Sequence, residues 1–509
     1  MYVLTNEEMR EADRYTIERL GVPSLTLMER AGIALADEAE KLALNGRILC
    51  VCGGGNNGGD GFVCARVLKG RGWDVEVLFY AEKISEDCRV NIEKWRACGG
   101  VTKAELPTEK YQLIVDCLYG TGFRGGLYGR DADVVSWINV QGESGTRVLS
   151  ADIPSGICGE NGLAENGAVK ANVTLCIGEK KAGILMNDGL DFSGKIKRAD
   201  IGIILPKDSA SYARLITRET AKALLPARRR NSHKGTYGKA AVVAGSIQYT
   251  GAAYLSVSAA ACLRAGAGYT TLFLPSELLP YYILKNPEVL LKSTNDGGMY
   301  AFNQEKMQDL LVYDSIAYGM GMGCSQEVAN GAAYLLAHYK GKLILDADAL
   351  NSLARYKKET LQTCFLQKKC SVLLTPHVKE FSRLSGDSIE EILQRGISAP
   401  CAFARKHQIS VLLKSSVSVL TDGECVRLNA TGNSGLAKGG SGDVLSGVIA
   451  GLCAQGVSVF NGGCLGAYLV GRAAELAARE KGEYALTATD VIEHLGAAFL
   501  ELQGEIRQE

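Results

Sequence analysis

Residues 429–452 read NATGNSGLAKGGSGDVLSGVIAGL, a glycine-rich loop holding one carboxylate, Asp443, where an apolar helix is expected to begin. These residue types suit phosphoryl transfer. Loop amides and a helix N-terminus offer fixed partial positive charge to phosphate oxygens. Glycines let the backbone come close to them. A carboxylate just beyond can take a proton from an attacking hydroxyl. The plainer reading of Asp443 alone is a helix N-cap, although Gly439, Gly440 and Gly442 exceed what a cap requires.

Further segments could join this loop. DADALN (346–351) and TPHVKEF (375–381) each follow a run of strand character. LLKSSVSVL (412–420) reads as two strands around a polar turn that could face a nucleotide. HKGTYGKAAVVAGS precedes YTGAAYLSVSAA, a strand, turn and helix. Lys414, Arg427 and Lys438 are candidates to offset phosphate charge. His377 reads equally well as a packed or capping histidine. Asp346 and Asp348 also fit an ordinary strand-end turn.

Far upstream lies a second constellation: GGGNNGGDG (53–61), DCLYGTGFRGG (116–126) and ADIPSG (151–156). In a parallel sheet the carboxyl ends of strands form the ligand crevice. Side-chain oxygens of Asn57, Asp116 and Ser155 suit a hard monovalent cation. Asp152 could serve as acid or base, and the GTGFRGG turn could cradle a pyrophosphate. Any one glycine turn is weak evidence, and Asp116 alone could simply cap a helix. Two active sites are expected on the chain.

The elements that would position these residues alternate along the chain. Helical periodicity covers 6–20 and 24–44. A strand (47–55), a helix (60–70) and a strand (73–80) make a first βαβ unit. A helix near 85–98, a strand at 112–120, a helix at 131–139 and a strand at 147–154 follow, with strands near 172–177 and 199–204. A boundary is placed near 205–225, where SYARLITRETAKALL reads as a helix ending at Pro226. Arg228–Arg230 beyond it read as a solvated linker edge. Strands then recur near 240–245, 269–274, 315–319, 342–346, 371–375, 410–414 and 417–421. Long apolar helices lie near 251–265, 443–455 and 462–480. Such alternation predicts α/β architecture with mostly parallel, doubly wound sheets.

Bulk properties narrow the function classes. A chain of 509 residues exceeds one ordinary core. Fifty-six basic residues balance 56 acidic ones, which argues against nucleic-acid or anionic-membrane binding. The 16 cysteines are scattered, many in apolar runs, and read as buried thiols of a reducing, cytoplasmic compartment. No run of about 18 apolar residues predicts a transmembrane helix, and the polar N-terminus has no signal-peptide core.

Taken together, the two motif sets resemble the bifunctional NAD(P)H-hydrate repair enzymes over nearly the whole chain. MREADRYTIERLGVPSLTLMERAG, GGGNNGGDGFVCARVL and DIPSG are similar to the epimerase part. HKGTYG, AGAGYTTL, DADALN, TPH and GNSGLAKGGSGDVLSGVIAGL are similar to the ADP-dependent dehydratase. The resemblance implies an N-terminal Rossmann-like three-layer domain over 1–215 and a C-terminal ribokinase-like domain over 222–505. The first would interconvert the R and S hydrates of NADH or NADPH. The second would dehydrate the S hydrate with ADP (or ATP) consumption, releasing phosphate.

By matching positions, Asn56, Asn57, Gly58, Gly59 and Asp60 would contact the hydrate. Gly120, Thr121, Gly122, Phe123, Arg124, Gly125 and Gly126 would do so too, with Asp152 as acid/base. Asn57, Asp116 and Ser155 would hold K+. In the second domain Asp443 would be the base, and Ala253, Gly323 and His377 would contact the hydrate. Lys414, Ser415, Ser416, Val417, Ser418 and Gly442 would bind the nucleotide, which carries Mg2+. A homo-oligomer without nucleic-acid or membrane partners is expected. Val378, Lys379, Ser415 and Lys438 depart from the family pattern and bear on nucleotide choice and affinity. A small-molecule kinase is the competing enzyme reading. A non-catalytic binding protein is the other alternative.

Overall fold

A computed structural model describes residues 1–43, 45–206, 212–258 and 264–504. The chain divides into two compact units, Met1–Tyr212 and Ala213–Glu509.

The N-terminal unit is built on a parallel sheet. Its strands are β2 (Ile48–Cys52), β3 (Val75–Leu78), β4 (Val101–Lys103), β5 (Leu113–Cys117), β6 (Arg147–Ala151), β7 (Val173–Ile177) and β9 (Lys195–Ala199). Their spatial order is β4-β3-β2-β5-β6-β7-β9. A short parallel pair joins β1 (Tyr2–Leu4) to β8 (Lys180–Lys181). The central strands β2 and β5 are buried throughout because both sheet faces are covered. Ile48, Cys50 and Cys52 of β2 enter one core, under helices Ser24–Leu42, Asn56–Gly70 and Glu86–Ala97. Leu49 and Val51 enter the other, under helix Gly129–Glu143. Period-two alternation therefore produces three layers.

In the C-terminal unit β10 (Ala213–Leu215) is followed by β11 (Lys239–Val243), β12 (Tyr269–Leu274), β13 (Leu290–Ser293), β14 (Ser315–Tyr318) and β15 (Lys342–Leu345). Then come β16 (Ser371–Leu374), β17 (Ser410–Leu413), β18 (Ser418–Thr421) and β19 (Val426–Asn429). The order is β13-β12-β11-β14-β15-β16-β17-β18-β19-β10. Among the described residues only β18 runs antiparallel to its neighbours in this sheet. Helix Ser441–Ala454 is buried from Val444 to Ala454, which explains why its sequence is apolar all round rather than on one stripe. It packs with helix Val459–Ala485 in the principal core.

Several sequence expectations are corrected. SYARLITRETAKALL is not one helix. Ala213–Leu215 pairs with β19, and helix Arg218–Leu224 starts only after Thr217, whose hydroxyl and that of Thr220 cap each other's backbone amides. The strand near 199–204 lies earlier, at Lys195–Ala199, in register with β7. Gly202, at φ 85°, interrupts the extended run beyond it. Helix 6–20 becomes Asn6–Arg14 followed by a wider π turn, Tyr15–Arg19. The helix near 251–265 is described over Thr250–Val257; residues 259–263 lie outside the described residues.

Candidate active sites

In the N-terminal unit the carboxyl ends of β2, β5 and β6 open on a cavity of about 1130 Å³. The 53–61 turn does more than expected: helix Asn56–Gly70 begins inside it. Asn56, Asn57 and Asp60 line the cavity. Gly58 and Gly59 do not, because they are buried in the first helical turn. A Cβ at Gly58 would lie 1.7 Å from the Gly53 carbonyl, and one at Gly59 2.6 Å from Met28 Sδ. Their glycine identity serves close packing. Gly120, Thr121, Gly122 and Phe123 line the cavity, whereas Arg124, Gly125 and Gly126 do not. Gly125, at φ 78°, turns the chain away, and Gly126 sits beside Glu165 and Asn166.

Beneath the 120–123 turn lies an oxygen-rich cluster. Asp116 is fully buried and forms no ion pair among the described residues. Its carboxylate accepts from Ser155 Oγ at 2.6 Å, Ser155 N at 2.9 Å and Ser150 Oγ at 2.8 Å. Ser155 Oγ in turn accepts from Tyr119 N at 2.8 Å. Asn57 Nδ2 donates to the Tyr119 carbonyl at 2.7 Å. Asn57, Asp116 and Ser155 thus meet around Tyr119, which sequence reasoning did not select. A buried carboxylate with hard oxygen neighbours and no basic side chain fits a monovalent cation.

Asp152 follows β6 with φ 66°, a left-handed conformation unusual for a residue other than glycine. Its Oδ1 accepts from Lys181 Nζ and from Ile177 N at 3.0 Å. The Lys181 ammonium also donates to the Ile177 carbonyl at 2.6 Å. Lys181 is buried, and the sequence reading missed it. Asp13, on helix Asn6–Arg14, lines the same cavity and was also missed. A signal existed there: Asp13 falls four residues after buried Met9, on the buried side of an amphipathic helix. Burial raises Asp13 to about 6, with Lys181 opposing and Asp152 adding to the shift. Asp60 is pushed well above the usual carboxylate range by burial and then by Asp152 and Asp13.

In the C-terminal unit the cap of helix Ser441–Ala454 is Gly440, at φ 97°, with no side-chain cap. Asp443 is the third helical residue, so its carboxyl is not an N-cap, and it has no hydrogen-bond or ion-pair partner among the described residues. Burial, Asp346, Asp348 and Glu380 raise it to about 7 against the opposing pull of Lys414.

Lys414, after β17, forms a 2.8 Å ion pair with Asp346, after β15. Asp346 also accepts from Ser446 Oγ at 2.7 Å and Ala347 N at 2.8 Å. Burial works against the Lys414 ammonium, but Asp346, Glu380 and Asp443 outweigh it and its pKa is raised. A Cβ at Gly442 would lie 3.2 Å from Lys414 Nζ and 3.7 Å from Asp346 Oδ2. Gly442, Lys414, Asp346 and Asp443 therefore share one corner.

His377 caps helix Val378–Ser385, its Nδ1 accepting from Glu380 N at 3.2 Å. It also bridges in register to Lys414, which brings it to the same strand ends. Gly323, at φ 83°, donates its N–H to Asp348 at 2.8 Å. Ala253 belongs to the core and packs against Gly245. Ser415 and Ser416 form the exposed turn of the β17–β18 hairpin, and Ser418 donates to the Ser415 carbonyl at 3.3 Å. Val417 is buried, so its side chain is a packing group. Lys438 adds no free charge to this corner: its ammonium donates to the carbonyls of Tyr484 and Leu486 at 2.6 and 2.7 Å. Arg427 spends one donor on its neighbour's carbonyl, Val426.

Comparison with known proteins adds a second line of observation. A family profile described as NAD(P)H-hydrate dehydratase matches residues 240–496, and one described as YjeF-related protein N-terminus matches 24–183. The chain is 33% identical over 530 residues to a bifunctional NAD(P)H-hydrate repair enzyme of Moorella thermoacetica, covering 99% of this chain and 98% of the relative. It is 34% identical over 521 residues to one of Thermofilum pendens, covering 99% and 97%. Among solved structures, an ADP/ATP-dependent NAD(P)H-hydrate dehydratase from Bacillus subtilis is 30% identical at a TM-score of 0.49, over 57% of this chain and 98% of that one.

Proposed function

Because the chain belongs to the family of bifunctional NAD(P)H-hydrate repair enzymes, we propose that its C-terminal unit dehydrates the S hydrate of NADH or NADPH and its N-terminal unit interconverts the epimers. The observation that carries the reading is the Asp443 carboxyl, unpartnered at the start of a buried helix beside the Lys414–Asp346 pair. A carboxylate titrating near 7 is matched to general-base work. Asp443 takes the proton of the hydrate's hydroxyl as the oxygen attacks the terminal phosphoryl group of ADP (or ATP). AMP (or ADP) leaves. The ring nitrogen's lone pair then expels phosphate from the adjacent carbon, and loss of a proton from the next carbon restores the dihydronicotinamide double bond.

Lys414, Gly442 and the amides opening helix Ser441–Ala454 receive the phosphates. Mg2+ accompanies the nucleotide and neutralises phosphate charge. Ser415, Ser416 and Ser418 hold its nucleoside side. Gly323 and His377 face the hydrate, while Ala253 shapes its pocket from behind through Gly245.

In the N-terminal unit Asn56, Asn57, Asp60, Gly120, Thr121, Gly122 and Phe123 hold the hydrated nucleotide. Asp152, engaged by Lys181, is the basic group. Asn57, Asp116 and Ser155 would hold K+, which would balance the buried Asp116 charge and brace the 120–123 turn. Epimerisation is assigned to the unit Met1–Tyr212 and dehydration to Ala213–Glu509, in place of the expected 1–215 and 222–505, because Ala213–Leu215 pairs with β19. All 15 described cysteines are free thiols, in keeping with a cytoplasmic enzyme. No described helix is long and apolar enough to cross a membrane. A homo-oligomer completes the reading.

The test supplies purified protein with both epimers of hydrated NADH, KCl, MgCl2 and either ADP or ATP. Return of reduced-nicotinamide absorbance with stoichiometric inorganic phosphate is expected, and Asp443→Asn abolishes it. A stable phosphorylated product without phosphate release would move the protein to the small-molecule kinases.

A further inference from the structure

Six acidic side chains line the N-terminal cavity: Asp13, Asp60, Glu82, Asp87, Asp131 and Asp152. Asp152 is engaged by Lys181 Nζ and Ile177 N. Asp131 accepts from the hydroxyls of Tyr80, at 2.8 Å, and Tyr119, at 2.5 Å. Asp60 is buried at the helix start, and burial pushes its carboxyl well above the usual carboxylate range. Asp13, Glu82 and Asp87 line the cavity with no hydrogen-bond or ion-pair partner among the described residues, and of these the half-buried Asp13 is the one that neighbours Lys181 and Asp152. It faces Lys181 and Asp152 from the sheet side and Asp60 from helix Asn56–Gly70, with Arg10 one turn back on its own helix.

Inverting the hydrate demands an acid. Its hydroxyl sits on a ring carbon bonded to nitrogen, so inversion without redox chemistry can proceed by breaking the carbon–oxygen bond. Hydroxide is a poor leaving group; protonation during bond breaking makes it water. Asp152 has its Oδ1 taken up by Lys181 Nζ and Ile177 N, so that proton comes from another group.

We propose that Asp13 is a further catalytic residue of the N-terminal unit, the acid that protonates the departing hydroxyl of the hydrate. This rests on the epimerase reading above. The carbon–oxygen bond breaks as the nitrogen lone pair forms a carbon–nitrogen double bond, and the Asp13 proton leaves with the oxygen as water. Water then adds to the opposite face of the cation, its surplus proton passes to bulk water, and Asp13 is reprotonated from bulk water. Nothing is consumed. The Lys181–Asp152 pair supplies a fixed negative pole beside the transient ring cation. An acid of about 6 is also poised to cycle between both forms near neutrality.

The experiment uses the full chain, the R hydrate of NADH, KCl and no nucleotide, so that dehydration is silent. Epimers are separated chromatographically and the uncatalysed rate is subtracted. The wild-type kcat is expected to be flat at low pH and to fall as pH rises through about 6, because the acid must hold its proton. Asp13→Asn should lower kcat about 100-fold, leave KM for the hydrate nearly unchanged and erase the limb. Asp13→Glu should restore part of the rate together with the limb. A limb that persists in Asp13→Asn, or a rate close to wild type, overturns the assignment. Loss of the limb in Asp60→Asn with Asp13→Asn unaffected also overturns it, in favour of Asp60. If the Asn variant does not fold, the wild-type profile decides alone: a rate rising through pH 6 refutes an acid here. A wild type that does not interconvert the epimers at all defeats the epimerase reading itself, a result separate from any variant.

Discussion

Asp443→Asn should make the C-terminal unit more stable while nearly abolishing dehydration. Its carboxyl titrates at about 7 rather than 3.8, chiefly because burial disfavours the anion and then because Asp346 lies near. Below 3.8 both folded and unfolded chains carry the proton and the group contributes nothing. Between 3.8 and 7 the unfolded chain loses its proton first, so the folded state is progressively penalised as pH rises. Above 7 the penalty is complete. The gap of about 3 pH units, at about 1.4 kcal/mol each, sets a ceiling near ~4 kcal/mol. The side chain is partly open, and screening by water reduces this to about 2 kcal/mol.

An asparagine of the same shape escapes that penalty. At roughly 2 °C per kcal/mol for a unit of this size, the variant should melt about 4 °C higher at pH 8 and only about 1 °C higher at pH 5. Calorimetry of the full chain reads this directly, the relevant transition being the one ADP shifts upward. The same substitution removes the general base, and dehydration should fall by roughly 100- to 10,000-fold. In the wild type kcat/KM for dehydration should rise with pH through about 7, since a base must be ionised. A stabilisation equal at both pH values, or a lower melting temperature at pH 8, would refute the claim that a desolvated carboxylate sits there. Stability would then have been bound to function by some other group.

Three further outcomes follow from the same geometry. Lys414→Met leaves Asp346, whose side chain is 2% exposed, as a buried anion held only by Ser446 and Ala347. It should cost about 3 kcal/mol in denaturant unfolding, and an unchanged midpoint would show the pair to be unimportant to folding. Ser155→Ala removes the 2.6 Å hydrogen bond to Asp116 and one proposed cation ligand. Epimerisation should then need several-fold more KCl for half-saturation, and an unaltered potassium titration would exclude Ser155 from the cation site. Gly442→Ala places a methyl 3.2 Å from the flexible end of Lys414, so folding should change by less than about 1 kcal/mol. The KM for ADP should nevertheless rise, and an unchanged KM would put the phosphates elsewhere.

How much of this was legible depended on the range over which each constraint acts. Alternating runs of apolar strand and amphipathic helix announced both α/β units, because burial on two sheet faces leaves a mark within each strand. Asp443 was legible because its loop and helix are contiguous. Residues 213–225 were misread because strand pairing of Ala213–Leu215 is decided by β19, some two hundred residues away. Lys181 was missed for the same reason: its meaning lies in Asp152, and a lysine that follows Glu179 and Lys180 carries no local sign of burial. Gly58 and Gly59 pack within the first helical turn and the Val417 side chain is buried, placements that their local sequence did not announce.

Backbone strain supplies the link that neither motif nor burial pattern offered. Among the described residues only five other than glycine take positive φ, and two of them are Asp152 at 66° and Ala347 at 48°. Each follows the end of a parallel strand, β6 in one unit and β15 in the other. Each aims a carboxylate, Asp152 itself or the preceding Asp346, at a lysine from another element: Lys181 or Lys414. A residue with a Cβ is held in that region at a cost of order 1–3 kcal/mol, and such residues concentrate where geometry serves chemistry. A glycine at 152 would relax the turn but remove the carboxylate, while one at 347 would loosen the hinge that orients Asp346. The strained residue and the lysine it faces, buried Lys181 or partly exposed Lys414, thus form one device, built twice from unrelated sequence. In each unit it fixes a negative pole beside a second, unpartnered carboxyl, Asp13 or Asp443, which remains free to exchange a proton.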